Sequence, residues 1–303
     1  MDVSRRLLLF AGAAVAAGCG RSTPTQPRLS DPAEPLPPVE DGIGMQEDKY
    51  DALAGVFAVN LNSGRTLAYR DDDMFAVCST YKAYLAGRVL QLAQQGSLAL
   101  TDTVVVDPAA LVTHSPVTEP NAGGQMSLAS LCEATLQQSD NTAANLLLGR
   151  IGGPSAITAF ARSIGDDRTQ LDRWETDLNS ALPGDPRDTS TARAIGGGFQ
   201  NLLTGTVLDD AYRGQLERWM RGNVTSARSM RAGLPRGWTT ADKTGAGDFA
   251  STNDIGIAYG PDSERILLSV MTRTRTDEPK AESLQPLIAD VTALVLPWLL
   301  GRT

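Results

Sequence analysis

Ser79-Thr80-Tyr81-Lys82 sets a hydroxyl and an amine three residues apart, at the head of an apolar run with helical spacing: Tyr81, Tyr84, Leu85, Val89, Leu90, Leu92. Residues three apart share a helix face, and a helix N-terminus favours developing negative charge. A serine hydroxyl becomes a useful nucleophile when a neighbouring base takes its proton. Lysine serves as that base when it is desolvated, whereas arginine keeps its proton. The 303-residue chain holds 27 Lys plus Arg but only four lysines, Lys49, Lys82, Lys243 and Lys280, and places two of them in short chemical motifs. An ordinary surface lysine one turn into a helix is the competing reading of Lys82.

Three further stretches carry side chains of the same kind. Ser139-Asp140-Asn141 precedes the helical run Thr142–Leu148, and Ser or Asp in that place is an N-cap signal as much as a catalytic one. Arg173-Trp174-Glu175-Thr176-Asp177-Leu178-Asn179 opens a loop rich in Pro and Gly that runs to Asp188. A glutamate and an asparagine four residues on are able to hold one water between them, or to stand as solvated loop groups. Lys243-Thr244-Gly245 ends a strand, with Ala246-Gly247 after it. Lysine with threonine there grips a carboxylate, and the glycine lets a ligand approach the strand edge.

The elements that position these groups are legible in outline. A short helix is expected over Asp48–Leu53. Gly55–Leu61 and Arg65–Arg70 alternate about the turn Asn62-Ser63-Gly64, which reads as a β-hairpin. Residues 95–200 read mainly helical. Strand character returns at Trp238–Lys243, Ser251–Tyr259 and Arg265–Thr272, and Pro286–Leu300 closes the chain as a helix. Sheet segments at both ends thus enclose a helical middle, an α+β arrangement.

Composition is that of a globular protein, with 42% hydrophobic and 20% charged residues. A net charge of −8 argues against a nucleic-acid-binding surface. Residues 1–18 read as an export signal: Arg5-Arg6 precedes the apolar Leu7–Ala17, too short to span a membrane. The arginine pair resembles a twin-arginine signal, and Ala16-Ala17-Gly18-Cys19 resembles a lipobox whose cysteine is acylated. Removing Asp2, Arg5 and Arg6, net +1, takes the remainder from −8 to −9. Residues 19–46, with Pro24, Pro27, Pro32, Pro35, Pro37 and Pro38, read as a semi-rigid tether. That leaves 47–303 as the catalytic domain, exported and held by a lipid at Cys19 on the outer face of the cytoplasmic membrane, or released outside it. Cys78 and Cys132 lie in apolar settings and are expected as two buried thiols.

Taken together and in this order, Ser79-x-x-Lys82, Ser139-Asp140-Asn141, Glu175-x-x-x-Asn179 and Lys243-Thr244-Gly245 resemble a class A serine β-lactamase. Ser115–Glu119 and Ala241–Gly247 add to the likeness, which covers residues 48–303 and looks nearest to the enzymes of mycobacteria and related actinobacteria. The resemblance implies an antiparallel sheet flanked by the terminal helices, an all-helical subdomain, and an active site between them. It implies that Ser79 attacks the lactam carbonyl, with Lys82, or Glu175 through a water, as base. Ser139 would relay the proton to the lactam nitrogen. The N–H groups of Ser79 and Ala246 would form the oxyanion hole. Glu175 and Asn179 would position the deacylating water. Lys243, Thr244 and Gly245 would receive the substrate carboxylate, Asn141 the side-chain amide, and His114 would wall the mouth. It implies a monomer without cofactor or metal, acting on penicillins and cephalosporins. A penicillin-binding D,D-peptidase and an inactive lipid-anchored binding protein are the alternatives. The resemblance further implies an Arg173–Asp188 pair across the loop's neck and a cis bond before Thr176. The family's usual positions for a carboxylate-pocket arginine hold Ser229 and Thr252, which leaves Arg228, Arg273, Arg275 and Lys280 as substitutes.

Overall fold

Period-two alternation along two strands builds the centre of the molecule. In β1 (Ala52–Asn60), Ala54, Val56 and Ala58 face one side and Phe57 and Val59 the other. In the last strand, β9 (Arg265–Thr274), Ile266, Leu268 and Val270 face the first side and Leu267 and Met271 the second. Successive side chains of a strand point to opposite faces, so each strand serves two cores. The computed structural model describes residues 38–302. The export signal, Cys19 and most of the tether expected at 19–46 lie outside the described residues.

The chain runs α1 (Val39–Tyr50), β1, β2 (Thr66–Tyr69), β3 (Phe75–Ala76), a short 3-10 turn at Cys78–Tyr81, α2 (Lys82–Gln94), β4 (Thr103–Val105) and β5 (Gln125–Ser127). There follow α3 (Leu128–Gln137), α4 (Asn141–Ile151), α5 (Pro154–Ser163), β6 (Thr189–Ser190), α6 (Ala192–Thr204), α7 (Asp210–Arg221) and the single turn α8 (Met230–Gly233). β7 (Thr239–Ala246), β8 (Thr252–Tyr259), β9 and α9 (Gln285–Leu299) close it. The five-stranded sheet is antiparallel throughout, in the order β2-β1-β9-β8-β7. Val39 and Ile43 of α1, with Leu287, Ile288, Val291 and Val295 of α9, cover its first face. The second face packs on α6 and, beyond it, on the helical region built around α2. Gly198 of α6 lies where a Cβ would stand 1.7 Å from the Tyr84 hydroxyl, so only glycine admits that ring.

Three expectations shift. The first helix spans Val39–Tyr50, not Asp48–Leu53, and so takes residues 39–46 out of the tether. Its core-facing positions are Val39, Ile43 and Glu47. A buried carboxylate interrupts the apolar pattern by which such a helix is recognised. Glu47 is satisfied by the Ala54 N–H at 2.8 Å, the Tyr69 hydroxyl at 2.9 Å and Arg70 Nε at 2.9 Å. Second, Lys243, Thr244 and Gly245 lie inside β7, which continues to Ala246, rather than at its end. Third, β9 runs two residues past the expected Thr272. The hairpin and the closing helix stand as expected, whereas residues 95–200, expected to be mainly helical, hold α3, α4, α5 and the start of α6 together with β4, β5, β6 and long irregular stretches.

Candidate active site

Ser79 is the second residue of the 3-10 turn that leads into α2. Its N–H therefore has no carbonyl one turn back to bond. Cys78 before it is fully buried with φ +43°, and Ser79 itself is 8% exposed. One turn on, Lys82 is wholly buried and meets acceptors from two segments, the head of α4 and the loop that bears Glu175. Its Nζ lies 2.8 Å from Ser139 O, 2.5 Å from Asn141 Oδ1 and 3.0 Å from Glu175 Oε1, and Ser139 Oγ stands at 3.4 Å. Burial lowers the Lys82 amine from its ordinary value, while the Glu175 carboxylate opposes that shift.

Ser139-Asp140-Asn141 serves as cap and site at once. Asp140 Oδ1 accepts the Ala143 N–H at 2.8 Å and caps α4, and the same carboxylate accepts from Thr118 Oγ1 and from the N–H groups of Val117 and Thr118. With Asp140 turned inward, Ser139, at φ +58°, and Asn141 face Lys82. Asn141 Nδ2 donates to Thr113 O at 2.9 Å. His114, also at positive φ, lines the cleft and donates from Nε2 to Gln138 O at 3.0 Å.

The loop bearing Glu175 is closed at its neck. Asp188, fully buried, accepts Arg173 Nε at 2.6 Å on one oxygen, and the N–H groups of Asp172 (2.7 Å) and Arg173 (3.0 Å) on the other. The Glu175–Thr176 bond is cis. Glu175 accepts from Asn179 Nδ2 at 2.7 Å and from the Tyr81 hydroxyl at 3.2 Å. Among the described residues, Asn179 Oδ1 is buried without a partner. Glu175 and Asn179, expected to share a water, thus also touch directly.

On the sheet side, Lys243 is buried. Its Nζ donates to Ser139 Oγ at 3.1 Å and to Thr244 O at 2.9 Å. Burial, reinforced by the nearby Lys82 charge, lowers its pKa to about 7. Gly247 N donates to Ser251 O at 2.9 Å. Alternation in an antiparallel ladder then turns the preceding N–H, that of Ala246, away from β8. Gly245 lines the cleft and also serves the protein's own packing. A Cβ there would stand 3.0 Å from Val77 O and 3.1 Å from Cys78 Cβ, so the glycine lets β7 lie against the segment carrying Ser79.

A cleft of about 300 Å³ joins these groups, lined by Ser79, His114, Ser139, Asn141, Asn179 and, at the sheet end, Thr244 to Ala246. The basic residues expected to substitute at its carboxylate end do not line it. Arg275 pairs with Glu47 and Asp48, Lys280 with Asp248, and Arg273 lines a separate cavity beside Met74 and Arg187. Arg228 is exposed and outside the lining as well. Ser229 and Thr252 line it, together with Thr225, Asn253 and Gln285.

Sequence reasoning missed several supports. Asn145 holds Glu175 by its backbone, accepting its N–H at 3.0 Å and donating to its O at 2.9 Å. Its signal was present, since Asn145 follows Asn141 by one helical turn. Tyr81 was visible inside the first motif. Thr225 and Gln285 left no local signal.

The model of the β-lactamase enzyme family matches residues 40–299. The chain is 38% identical over 291 residues to β-lactamase CTX-M-8 of Citrobacter amalonaticus, covering 96% of this chain and 97% of that protein. It is 41% identical over 291 residues to a β-lactamase of Streptomyces fradiae, covering 93% and 94%. The crystal structure of a β-lactamase from Desulfarculus baarsii superimposes with a TM-score of 0.84 at 42% identity, covering 86% of this chain and 97% of that one. The actinobacterial relative stands at much the same identity as the other two, so these matches do not set the chain nearer to the actinobacterial enzymes.

Proposed function

Because the chain belongs to the β-lactamase enzyme family, we propose that it hydrolyses the lactam ring of penicillins and cephalosporins through an ester on Ser79, and so confers β-lactam resistance. The observation that carries this reading is the buried Lys82–Glu175 pair, with Asn179 bonded to Glu175 and lining the same cleft as Ser79.

Ser79 Oγ attacks the lactam carbonyl, and its proton passes to the Lys82–Glu175 pair. The oxyanion forms against the N–H groups of Ser79 and Ala246; losing one such donor costs about a hundred- to a thousand-fold in rate. The C–N bond then breaks, and Ser139 hands a proton to the departing nitrogen. Lys243 donates to Ser139 Oγ, which leaves the hydroxyl's own proton free for that transfer. Lys243 and Thr244 receive the substrate carboxylate, Asn141 its side-chain amide, and His114 bounds the mouth. In the second half, Glu175 takes a proton from a water held by Asn179, the water adds to the ester, and Ser79 regains its proton. The net change is one water across the C–N bond. Glu175 and Asn179 favour turnover over permanent trapping, the outcome for a penicillin-binding peptidase. The reading extends to a monomer exported and anchored at Cys19, which radiolabelled palmitate incorporation into the wild type but not Cys19→Ser would test.

The decisive experiment mixes wild type and Glu175→Ala separately with benzylpenicillin, following absorbance and intact mass. Turnover by wild type, with a stable adduct on Ser79 in Glu175→Ala, supports the reading. An adduct that stalls on wild type sinks it in favour of a peptidase or sensor. No adduct on either protein removes Ser79 as nucleophile.

A further inference from the structure

A second cavity, of about 200 Å³, lies against the far limb of the Glu175 loop and shares no lining residue with the cleft. Met74, Phe75, Leu182 and Pro186 give it apolar walls, and Ser251 and Arg273 stand among them. The strand pattern explains how a charge reaches this wall. Alternation along β9 puts Arg273 on the face of Leu267 and Met271. Thr252 of β8 pairs with Thr272 of β9, so Ser251 and Arg273 follow as neighbours one step along the two chains.

The protons around this cavity divide into spent and unspent. Arg187 spends Nε and Nη2 on Asp185, whose charge matches its own. The Thr189 hydroxyl donates to Pro186 O at 2.6 Å. Arg273 makes one hydrogen bond, from Nη1 to Thr274 O at 3.2 Å, and has no carboxylate partner among the described residues. Most of its guanidinium donors are therefore open. Ser251 is 3% exposed, and its backbone bonds to Asp248 O and Gly247 N. Its hydroxyl has no partner among the described residues, although buried polar groups are nearly always bonded. A guanidinium presents a fork that fits a carboxylate. Volume bounds the rest of the occupant. An apolar cavity of about 150 Å³ holds one benzene, so this one admits a single ring with its carboxylate and little more.

We propose that this cavity binds a small aryl carboxylate, with the carboxylate on Arg273 and the Ser251 hydroxyl and the ring against Met74, Phe75 and Leu182. Ala181 to Pro186 belong to the loop that bears Glu175 and Asn179. Asp248 links the two places, since its N–H donates to Asn179 O at 2.9 Å and its O accepts the Ser251 N–H at 3.1 Å. An occupant thus rests on that loop without entering the cleft.

The test titrates nitrogen-15-labelled protein with benzoate and follows the backbone amide shifts. In wild type they should saturate with a Kd on the order of a millimolar and centre on Leu182, Ser251 and Arg273. Arg273→Gln should weaken binding about tenfold, and Ser251→Ala about threefold. Arg273→Lys keeps the charge but loses the fork, so its affinity should fall between wild type and Arg273→Gln. Neutral benzamide should bind wild type about tenfold more weakly than benzoate does, and should not distinguish wild type from Arg273→Gln. Shifts centred on Ser139, Lys243 and Thr244 would put benzoate in the cleft and overturn the proposal. So would the absence of saturation, benzoate binding that Arg273→Gln leaves unchanged, or a loss in Arg273→Lys as large as in Arg273→Gln. The graded order of the two Arg273 variants separates a lost carboxylate contact from a general loss of fold. Because the readout is binding, its outcome is independent of whether Ser79 opens a lactam.

Discussion

Asp188→Ala tests whether the neck of the Glu175 loop governs the second half of the reaction. The carboxylate is fully buried and satisfies three donors: Arg173 Nε at 2.6 Å, Asp172 N at 2.7 Å and Arg173 N at 3.0 Å. Removing one partner of a buried ion pair costs about 3–5 kcal/mol. The Arg173 side chain is 19% exposed, so water relieves part of its lost pairing, and about 3 kcal/mol is the fitting estimate. For a domain of this size each kcal/mol moves Tm by roughly 2–4 °C, which gives a fall of about 6–12 °C. The kinetic consequence follows from position. Asp188 O accepts the Val77 N–H at 2.8 Å, which ties the neck to the segment leading into Ser79. The Ser79–Lys82 turn is covalently part of that segment and should keep its shape, whereas Glu175 and Asn179 hang from the loop. A catalytic group misplaced by about 1 Å loses on the order of a hundredfold. Rapid-quench mass spectrometry with benzylpenicillin should then show a near-normal burst of Ser79 adduct followed by kcat reduced about a hundredfold. Asp188→Asn, which keeps acceptor oxygen but not charge, should fall between. The reasoning is refuted if Asp188→Ala melts within about 1 °C of wild type and turns over normally, or if the burst disappears while the slow phase persists.

Three more outcomes are expected. Lys243 is cationic below its pKa of about 7 and neutral above it, so kcat/KM for benzylpenicillin should decline as pH rises through that value while kcat/KM for its methyl ester does not; a pH–rate profile with both substrates checks the sign. Gly198→Ala would press a methyl into the Tyr84 hydroxyl, an overpacking that costs about 1–3 kcal/mol, readable as a lower urea midpoint with unchanged m-value. Cys78 and Cys132 are unpaired, buried and pushed upward in pKa by that burial, so a thiol reagent should leave both unmodified in the native protein and label both in denaturant, as seen by peptide mass.

The sequence by itself determined what lies within one turn or one strand. Ser79 and Lys82 share a face because three residues span a helical turn; Asp140 caps α4 because a short acidic side chain reaches the free N–H groups there. The hairpin of β1 and β2 follows from period-two alternation about a Gly-containing turn. The likeness to a known family located the Arg173–Asp188 pair, which is local in the same sense, sixteen residues closing one loop. Where burial broke a pattern, the sequence misled: Glu47 sits on the core face of α1 because Arg70, Tyr69 and the Ala54 N–H satisfy it, and none of these partners is visible from α1 itself.

The tertiary structure decided what converges from far apart. Lys82 is desolvated because Ser139, Asn141 and Glu175 arrive from α4 and the loop to enclose its amine, which no spacing encodes. The glycine of Lys243-Thr244-Gly245, legible as a place for a ligand, also makes room for Val77 and Cys78, a contact between segments more than 160 residues apart. At the carboxylate end, four basic residues were equal candidates in sequence and none lines the cleft, because Glu47, Asp48 and Asp248 had already drawn two of them away. Gln285, with no motif around it, stands there instead. Packing α9 on the sheet put its first residue at the wall of the cleft.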